Sequence, residues 1–225
     1  MENKELPIFV ENRESWKEEY GSYEKRYNKI AFDIKNILKI INLKDKKLKI
    51  LDAGCSYGYH LKLLNSINPN LDLTGIELSK DASQEAKKLN VAKIINQSLI
   101  DKFQFKDNSF DLIYSLDVVE HLNNKEEFNK FLGEVSRVLK KGGLLIIKTP
   151  AMTFTSWLAA LLSLNLKKYY TDDHKLHFNE KKMKESIPKG FIIAKIFYTS
   201  NSENKILNIL FNLLHMHHMW TILKK

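Results

Sequence analysis

Apolar and polar positions change period several times along the chain, and the changes mark out alternating helices and strands. From Glu14 to Ile41 the period is helical, with Ile30, Ile34, Ile37, Leu38 and Ile41 on one face. Upstream, Trp16, Tyr20, Tyr23 and Tyr27 carry the same period as an aromatic stripe, with Gly21 as a place to bend. That stripe reads either as a face packed on the body or as an aromatic cap over a ligand pocket.

After the polar stretch Lys44 to Lys47, the run Leu48 to Ala53 ends at Gly54 and predicts a buried strand. Tyr57 to Ile67 predicts a helix stopping before Pro69, and Leu71 to Glu77 a second strand. Ser79 is placed to cap a helix reaching Leu89, because its hydroxyl can accept a free N–H of the first turn. Val91 to Ile95 and Phe110 to Ser115 follow as strands three and four. Lys125 to Lys140 predicts a long amphipathic helix closed by Gly142 and Gly143, and Leu144 to Lys148 a fifth strand before Pro150.

This alternation predicts a parallel sheet with helices on both faces. Beyond Pro150 the pattern changes. Phe154 to Leu164 is a strongly apolar helix, and a polar loop holds Asp172, Asp173, His174 and His177. Asn179 caps a short helix to Ile187, Phe191 to Thr199 is a strand, Glu203 to Leu214 a helix, and Met219 to Leu223 a terminal strand. No repeat or low-complexity linker intervenes. The chain therefore reads as one domain: a helical cap (1–47), a core (48–150), an insertion (151–189) and C-terminal strands with a helix (190–225).

Composition narrows the setting. With 225 residues, 44% hydrophobic and 28% charged, the chain can bury a substantial core. Its longest apolar stretch falls short of the roughly 20 residues a membrane span needs, and the N-terminus lacks a secretory pattern. Cys55 is the lone cysteine, so no intrachain disulfide or zinc knuckle can form, and a reducing, cytoplasmic setting fits. The net charge of +9 invites nucleic acid as a partner, yet only Arg13, Arg26 and Arg137 of 36 basic residues are arginines. Scattered lysines solvate a surface, with an anionic substrate or peripheral membrane contact as the alternative. Oligomeric state is not written in the sequence.

Candidate chemistry concentrates at the first strand–turn–helix unit. Gly54 and Gly58 follow the strand and let a ligand approach the backbone. Asp52 ends the first strand and Glu77 the second, where a carboxylate can accept both hydroxyls of a ribose. A dinucleotide turn would carry a third glycine, and its pyrophosphate would be repelled by Asp52. A ligand with a ribose, an ammonium and a positive sulfonium tolerates that acid, which favours S-adenosylmethionine over a nicotinamide dinucleotide.

Five segments then resemble one family. Asp-Ala-Gly-Cys-Ser-Tyr-Gly at 52–58, Gly-Ile-Glu at 75–77, Asn-Ser-Phe-Asp at 108–111, Ser-Leu-Asp-Val-Val-Glu-His-Leu at 115–122 and Leu-Lys-Lys-Gly-Gly at 139–143 are similar to class I S-adenosylmethionine-dependent methyltransferases. The resemblance is to the small-molecule branch that includes ubiquinone-biosynthesis-type enzymes, and it covers about residues 48–150. It implies a Rossmann-like, seven-stranded, mostly parallel sheet with helices on both faces and an antiparallel last strand.

The resemblance also implies roles. Asp52, Gly54 and Gly58, with Cys55 and Ser56 in the same turn, would line the methionine end of the cofactor. Cys55 reads as a packing residue, and Ser56 stands where relatives have glycine. Glu77 would hold the ribose, Leu78 would lie against adenine, and Ser115 and Leu116 would offer backbone contacts to the ammonium. Ser98, Leu99 and Ile100 replace a common Gly-Asp-Ala, so the usual adenine-binding aspartate is missing.

The implied activity is in-line methyl transfer to the O, N or C of a small-molecule or lipid-like acceptor, with S-adenosylhomocysteine as product. His121, His174 and His177 are the candidate bases, each with an alternative structural role. Neither the loop histidines with Asp172 and Asp173 nor His215, His217 and His218 have the spacing of a metal motif, so no metal is expected. Two other classes stay open: a nucleic-acid methyltransferase, and a non-catalytic cofactor-binding module.

Overall fold

The computed structural model describes residues 23–43, 46–151, 174–199 and 218–225. The stripe residues Trp16 and Tyr20, the apolar segments 154–164 and 203–214, and Asp172, Asp173, His215 and His217 lie outside them.

The described chain runs α1 (Tyr23–Ile40), β1 (Lys49–Ala53), α2 (Tyr59–Ile67), β2 (Asp72–Glu77), α3 (Lys80–Lys88), β3 (Lys93–Asn96) and β4 (Phe110–Leu116). A 3-10 turn (Val119–His121), α4 (Lys125–Val138), β5 (Leu139–Pro150), α5 (Glu180–Ser186), β6 (Ile192–Thr199) and β7 (His218–Lys224) complete it. The strands form one sheet in the order β3-β2-β1-β4-β5-β7-β6. β7 runs antiparallel to both neighbours, and the other pairings are parallel. The expected Rossmann-like sheet is what the chain builds.

Period-two alternation sends side chains of each strand to opposite faces. From β1, Leu51 and Ala53 join Phe128, Phe131, Leu132 and Val135 of α4 on one face. Ile50 turns to the other face, with Ile34 and Ile37 of α1 and Leu61 and Leu64 of α2. Both faces are therefore dry, as a parallel sheet requires.

Capping follows the polar signals. The Ser79 hydroxyl accepts from Ala82 N–H at 3.3 Å. Asn124 and Asn179 accept from Glu127 and Lys182 N–H groups at 3.0 and 2.8 Å, starting α4 and α5. The glycine pair acts differently from expectation. α4 stops at Val138 because Leu139 is already extended and pairs with Phe110 of β4. Gly142 (φ +79) then sits inside a register shift of β5, where its N–H donates to the Lys225 carbonyl at 2.7 Å. Strand pairing ends this helix, and the glycine shapes an irregularity of the sheet.

Candidate active site

Strand order reverses between β1 and β4, and the chain departs from these two carboxyl ends in opposite directions, opening a crevice. A cavity of about 380 Å³ fills it. The turn after β1 forms one wall. Gly54 (φ +91) and Gly58 (φ +79) adopt left-handed backbone. A Cβ at Gly54 would lie 2.5 Å from the Val118 side chain, so only glycine fits. Ser56 between them is also left-handed (φ +47) and takes the conformation expected of the glycine it replaces. Its N–H donates to Glu77 Oε2 at 2.8 Å, while Glu77 Oε1 accepts from Ser79 N–H at 2.7 Å. Glu77 thus ties the turn to the start of α3, and each of its oxygens keeps a second lone pair for a ligand.

Asp52 is buried on the same wall, and among the described residues its Oδ2 has no hydrogen-bond partner. Burial pushes its carboxyl up to about 7, against the opposing pull of His60. An orphaned buried oxygen beside a glycine cradle suits a ligand that brings its own positive charge. Burial also pushes the Cys55 thiol up, with Asp52 and Glu77 adding to the shift, so this thiol is no nucleophile. It packs against Gly75, where a Cβ would come 2.5 Å from its sulfur.

Leu78, 70% exposed, shares the cavity wall with Ser98, Leu99 and Leu116. Three expected residues stand behind the wall. Gly58 donates its N–H to the Cys55 carbonyl at 2.8 Å, and Ile100 donates its N–H to Ser98 Oγ at 3.4 Å. Ser115 is fully buried, and its hydroxyl donates to the Ala53 carbonyl at 2.9 Å, tying β4 to β1.

Of the three histidines, His121 lies on the wall. His174 packs edge-on against it at 4.9 Å between ring centroids. His177 is not on the wall, and burial lowers its pKa. Lys175 and Leu176 donate their N–H groups to the Glu120 carbonyl at 2.8 and 3.0 Å, which brings His174 to His121. One ligand-capable atom each of Glu120, His121 and His174 falls within 4.8 Å of the others, a grouping that no sequence spacing announced. Burial and the charge of Asp117 push the Glu120 carboxyl up to about 8, and it accepts the Thr149 hydroxyl at 3.1 Å.

The sequence reading missed a charged cluster altogether. Lys148 is completely buried, with its ammonium 2.9 Å from Asp33 Oδ1 and 2.8 Å from Asp117 Oδ2. Lys29 reaches the same Asp117 oxygen at 2.9 Å. His60 stands 3.5 Å from Asp33, and His218 3.6 Å from Asp117. Lys29, Asp33, His60 and Asp117 all face the cavity. Burial works against both carboxylates, but His60 and Lys148 hold Asp33, and Lys148 with Lys29 holds Asp117, below the usual carboxylate range. One signal was available: Asp33 sits at helical spacing among Ile30, Ile34 and Ile37, an acid on an apolar face.

A Rossmann-like sheet with this crevice, glycine cradle and strand-end carboxylate pair is a frame for a nucleoside-bearing cofactor. Residues 51–147 match the family model described as a methyltransferase domain. The chain is 27% identical over 174 residues to the ubiquinone biosynthesis O-methyltransferase of Pelagibacter ubique, covering 72% of this chain and 70% of that protein. It is 29% identical over 185 residues to the mitochondrial ubiquinone biosynthesis O-methyltransferase of Dictyostelium discoideum, covering 70% of this chain but 56% of that one. Among solved structures, an S-adenosylmethionine-dependent methyltransferase from Archaeoglobus fulgidus superposes with a TM-score of 0.66 at 19% identity, covering 94% of this chain and 98% of that one. Residues 51–147 thus form a methyltransferase domain, and the chain's sequence similarity runs toward the ubiquinone biosynthesis O-methyltransferases.

Proposed function

We propose that the protein transfers the methyl group of S-adenosylmethionine directly, in line, to an oxygen, nitrogen or carbon of a small-molecule or lipid-like acceptor. The observation that carries this reading is the pairing of Glu77 and the buried Asp52 across one glycine-cradled cavity. The cofactor supplies a carbon already activated by its sulfonium, so the protein has to align the acceptor and exclude water. Glu77 accepts the ribose hydroxyls, Leu78 with Ser98 and Leu99 flanks the adenine, and the strand-end turn around Asp52 and Leu116 receives the methionine end.

His121, on the cavity wall, is placed to take a proton from the acceptor, and His174 packs on its ring. His177 has the weaker claim. We assign residues 48–150 to the cofactor core, 1–47 to a cap and 151–189 to the acceptor side, within one domain completed by 190–225. No described helix is long and apolar enough to cross a membrane. The buried, lone Cys55 supports a reducing, cytoplasmic setting. Labelled-methyl transfer to fractionated metabolites and lipids, read by mass spectrometry, tests the assignment. Label entering RNA with salt-sensitive RNA binding would replace the small-molecule reading. Cofactor binding without any methylated product would make the protein a binding module.

A further inference from the structure

Among the described residues the cavity wall is richer in acid than in base: Asp33, Asp52, Glu77 and Asp117 line it, with Lys29 as its one lysine and His60 at 3.5 Å from Asp33. Behind two of these acids lies Lys148, fully buried between Asp33 at 1% and Asp117 at 20% exposure. Lys148 does not reach the cavity, whereas both carboxylates line it. The second cation, Lys29, is 46% exposed, so water weakens what it gives to Asp117. His218 adds no positive charge, because burial lowers its pKa to about 4. Asp117 also holds left-handed backbone (φ +56), unusual for a non-glycine residue, and among the described residues its Oδ1 has no hydrogen-bond partner, His218 standing 3.6 Å away. A strained, incompletely partnered carboxylate at a cavity edge is poised for a ligand.

We propose that Asp33 and Asp117, fixed on the cavity wall by Lys148, select a positively charged sulfonium or ammonium over the uncharged thioether of the same skeleton, with Asp117 contributing most. The inference rests on the cofactor reading above and concerns which charge state of the cofactor the site prefers. Beside buried carboxylates the field acts on a charged ligand more than on a neutral one of equal shape. The reaction turns a cation into a neutral thioether, so this wall weakens the hold on spent product relative to fresh donor. Asp33 and Asp117 are positioning groups here; no proton or bond changes at either.

Titration calorimetry with three probes tests this: S-adenosylmethionine, its stable amine analogue sinefungin, and S-adenosylhomocysteine. The variant is Asp117→Asn, which leaves Lys148 paired through both oxygens of Asp33, at 2.9 and 3.1 Å. Expected is a loss of about tenfold for the two cationic probes and less than about twofold for the neutral one. Asp33→Asn should give the same pattern at smaller size and answers the question alone if the first variant does not fold. Equal losses for all three probes, or no loss for the cationic pair, overturn the inference while leaving the cofactor reading intact. If the wild-type protein binds none of the three, the cofactor reading itself fails and takes the inference with it.

Discussion

Lys148 and Asp33 lie 115 positions apart in sequence, and their side chains meet in near-complete burial, with 2.9 Å between the ammonium and Asp33 Oδ1. The contact joins α1 to the centre of the sheet. Breaking such a pair from one side leaves charge stranded without water, which costs about 3–5 kcal/mol. Lys148→Met should therefore lower the denaturant midpoint severely. Lys148→Met with Asp33→Asn and Asp117→Asn together should recover much of the loss. A triple variant no better than the single one would show that the ammonium matters for packing rather than charge.

Glu77 holds the turn with both of its oxygens. Glu77→Ala removes the acceptors of the Ser56 and Ser79 N–H groups along with the proposed ribose contact. Cofactor affinity should fall by about tenfold or more, as loss of charge-assisted hydrogen bonds implies. Calorimetry with S-adenosylhomocysteine provides the measurement, and unchanged affinity would remove Glu77 from the site.

Ser56 holds a left-handed backbone that glycine adopts without steric strain. Ser56→Gly should relieve that strain while loosening the unfolded chain, for a net change within about 1 kcal/mol. The backbone N–H to Glu77 survives the change, so cofactor affinity should stay within a factor of about two. Ser56→Val should be clearly destabilising, since a branched side chain resists positive φ. Thermal melts of the two variants make the comparison.

Two buried acids give stability a downward slope with pH. Burial, with Asp117 nearby, pushes Glu120 up to about 8, and burial pushes Asp52 up to about 7. In the unfolded chain both ionise near the ordinary value of about 4. Between these values the unfolded chain releases protons that the folded chain keeps, so stability declines as pH rises through that window. Asp117 has the opposite sign: its depressed pKa adds stability above the unfolded value, lost as pH falls. Glu120→Gln can still accept the Thr149 hydroxyl and should flatten the slope between pH 5 and 8, raising the melting temperature most at about pH 8. Calorimetric melts across that range decide it. A slope unchanged in the variant would mean that Glu120 titrates normally.

The histidines separate by placement. His121→Ala should lower turnover by about a hundredfold or more if it removes the acceptor's proton, with cofactor affinity preserved. His174→Ala should lower it less, through the orientation of His121, and His177→Ala should leave it close to wild type. The pH–rate profile is the discriminating readout, because loss of a base removes its limb. Wild-type turnover in all three variants across pH would leave alignment and desolvation to account for the rate.

Most of the sheet was legible because its strands are short apolar runs punctuated by glycine, proline and cap residues, as at Leu48 to Gly54 and around Ser79. The end of α4 was misread because glycine is a strong local stop signal, while the pairing of Leu139 with Phe110 is a long-range event invisible to it. In the site, Asp52, Gly54 and Glu77 carried their own signal through position at strand ends. Lys148 did not, since a lysine closing an apolar run reads as the point where a strand meets water. Its partners come from α1 and from the loop after β4, and only the folded chain brings them together. His121 and His174 likewise meet because backbone bonds to Glu120 draw two distant loops together.

The bridge between Ala151 and Phe178 has a consequence for how such a chain can change over time. The polypeptide leaves the sheet and rejoins it at neighbouring points, clamped there by the Glu120 carbonyl. What is spliced between those two points can be lengthened, shortened or exchanged at a modest entropic cost, because closure entropy grows only slowly with loop length. The junction works as a socket: what lies between its two ends can be replaced while the sheet on either side is inherited unchanged.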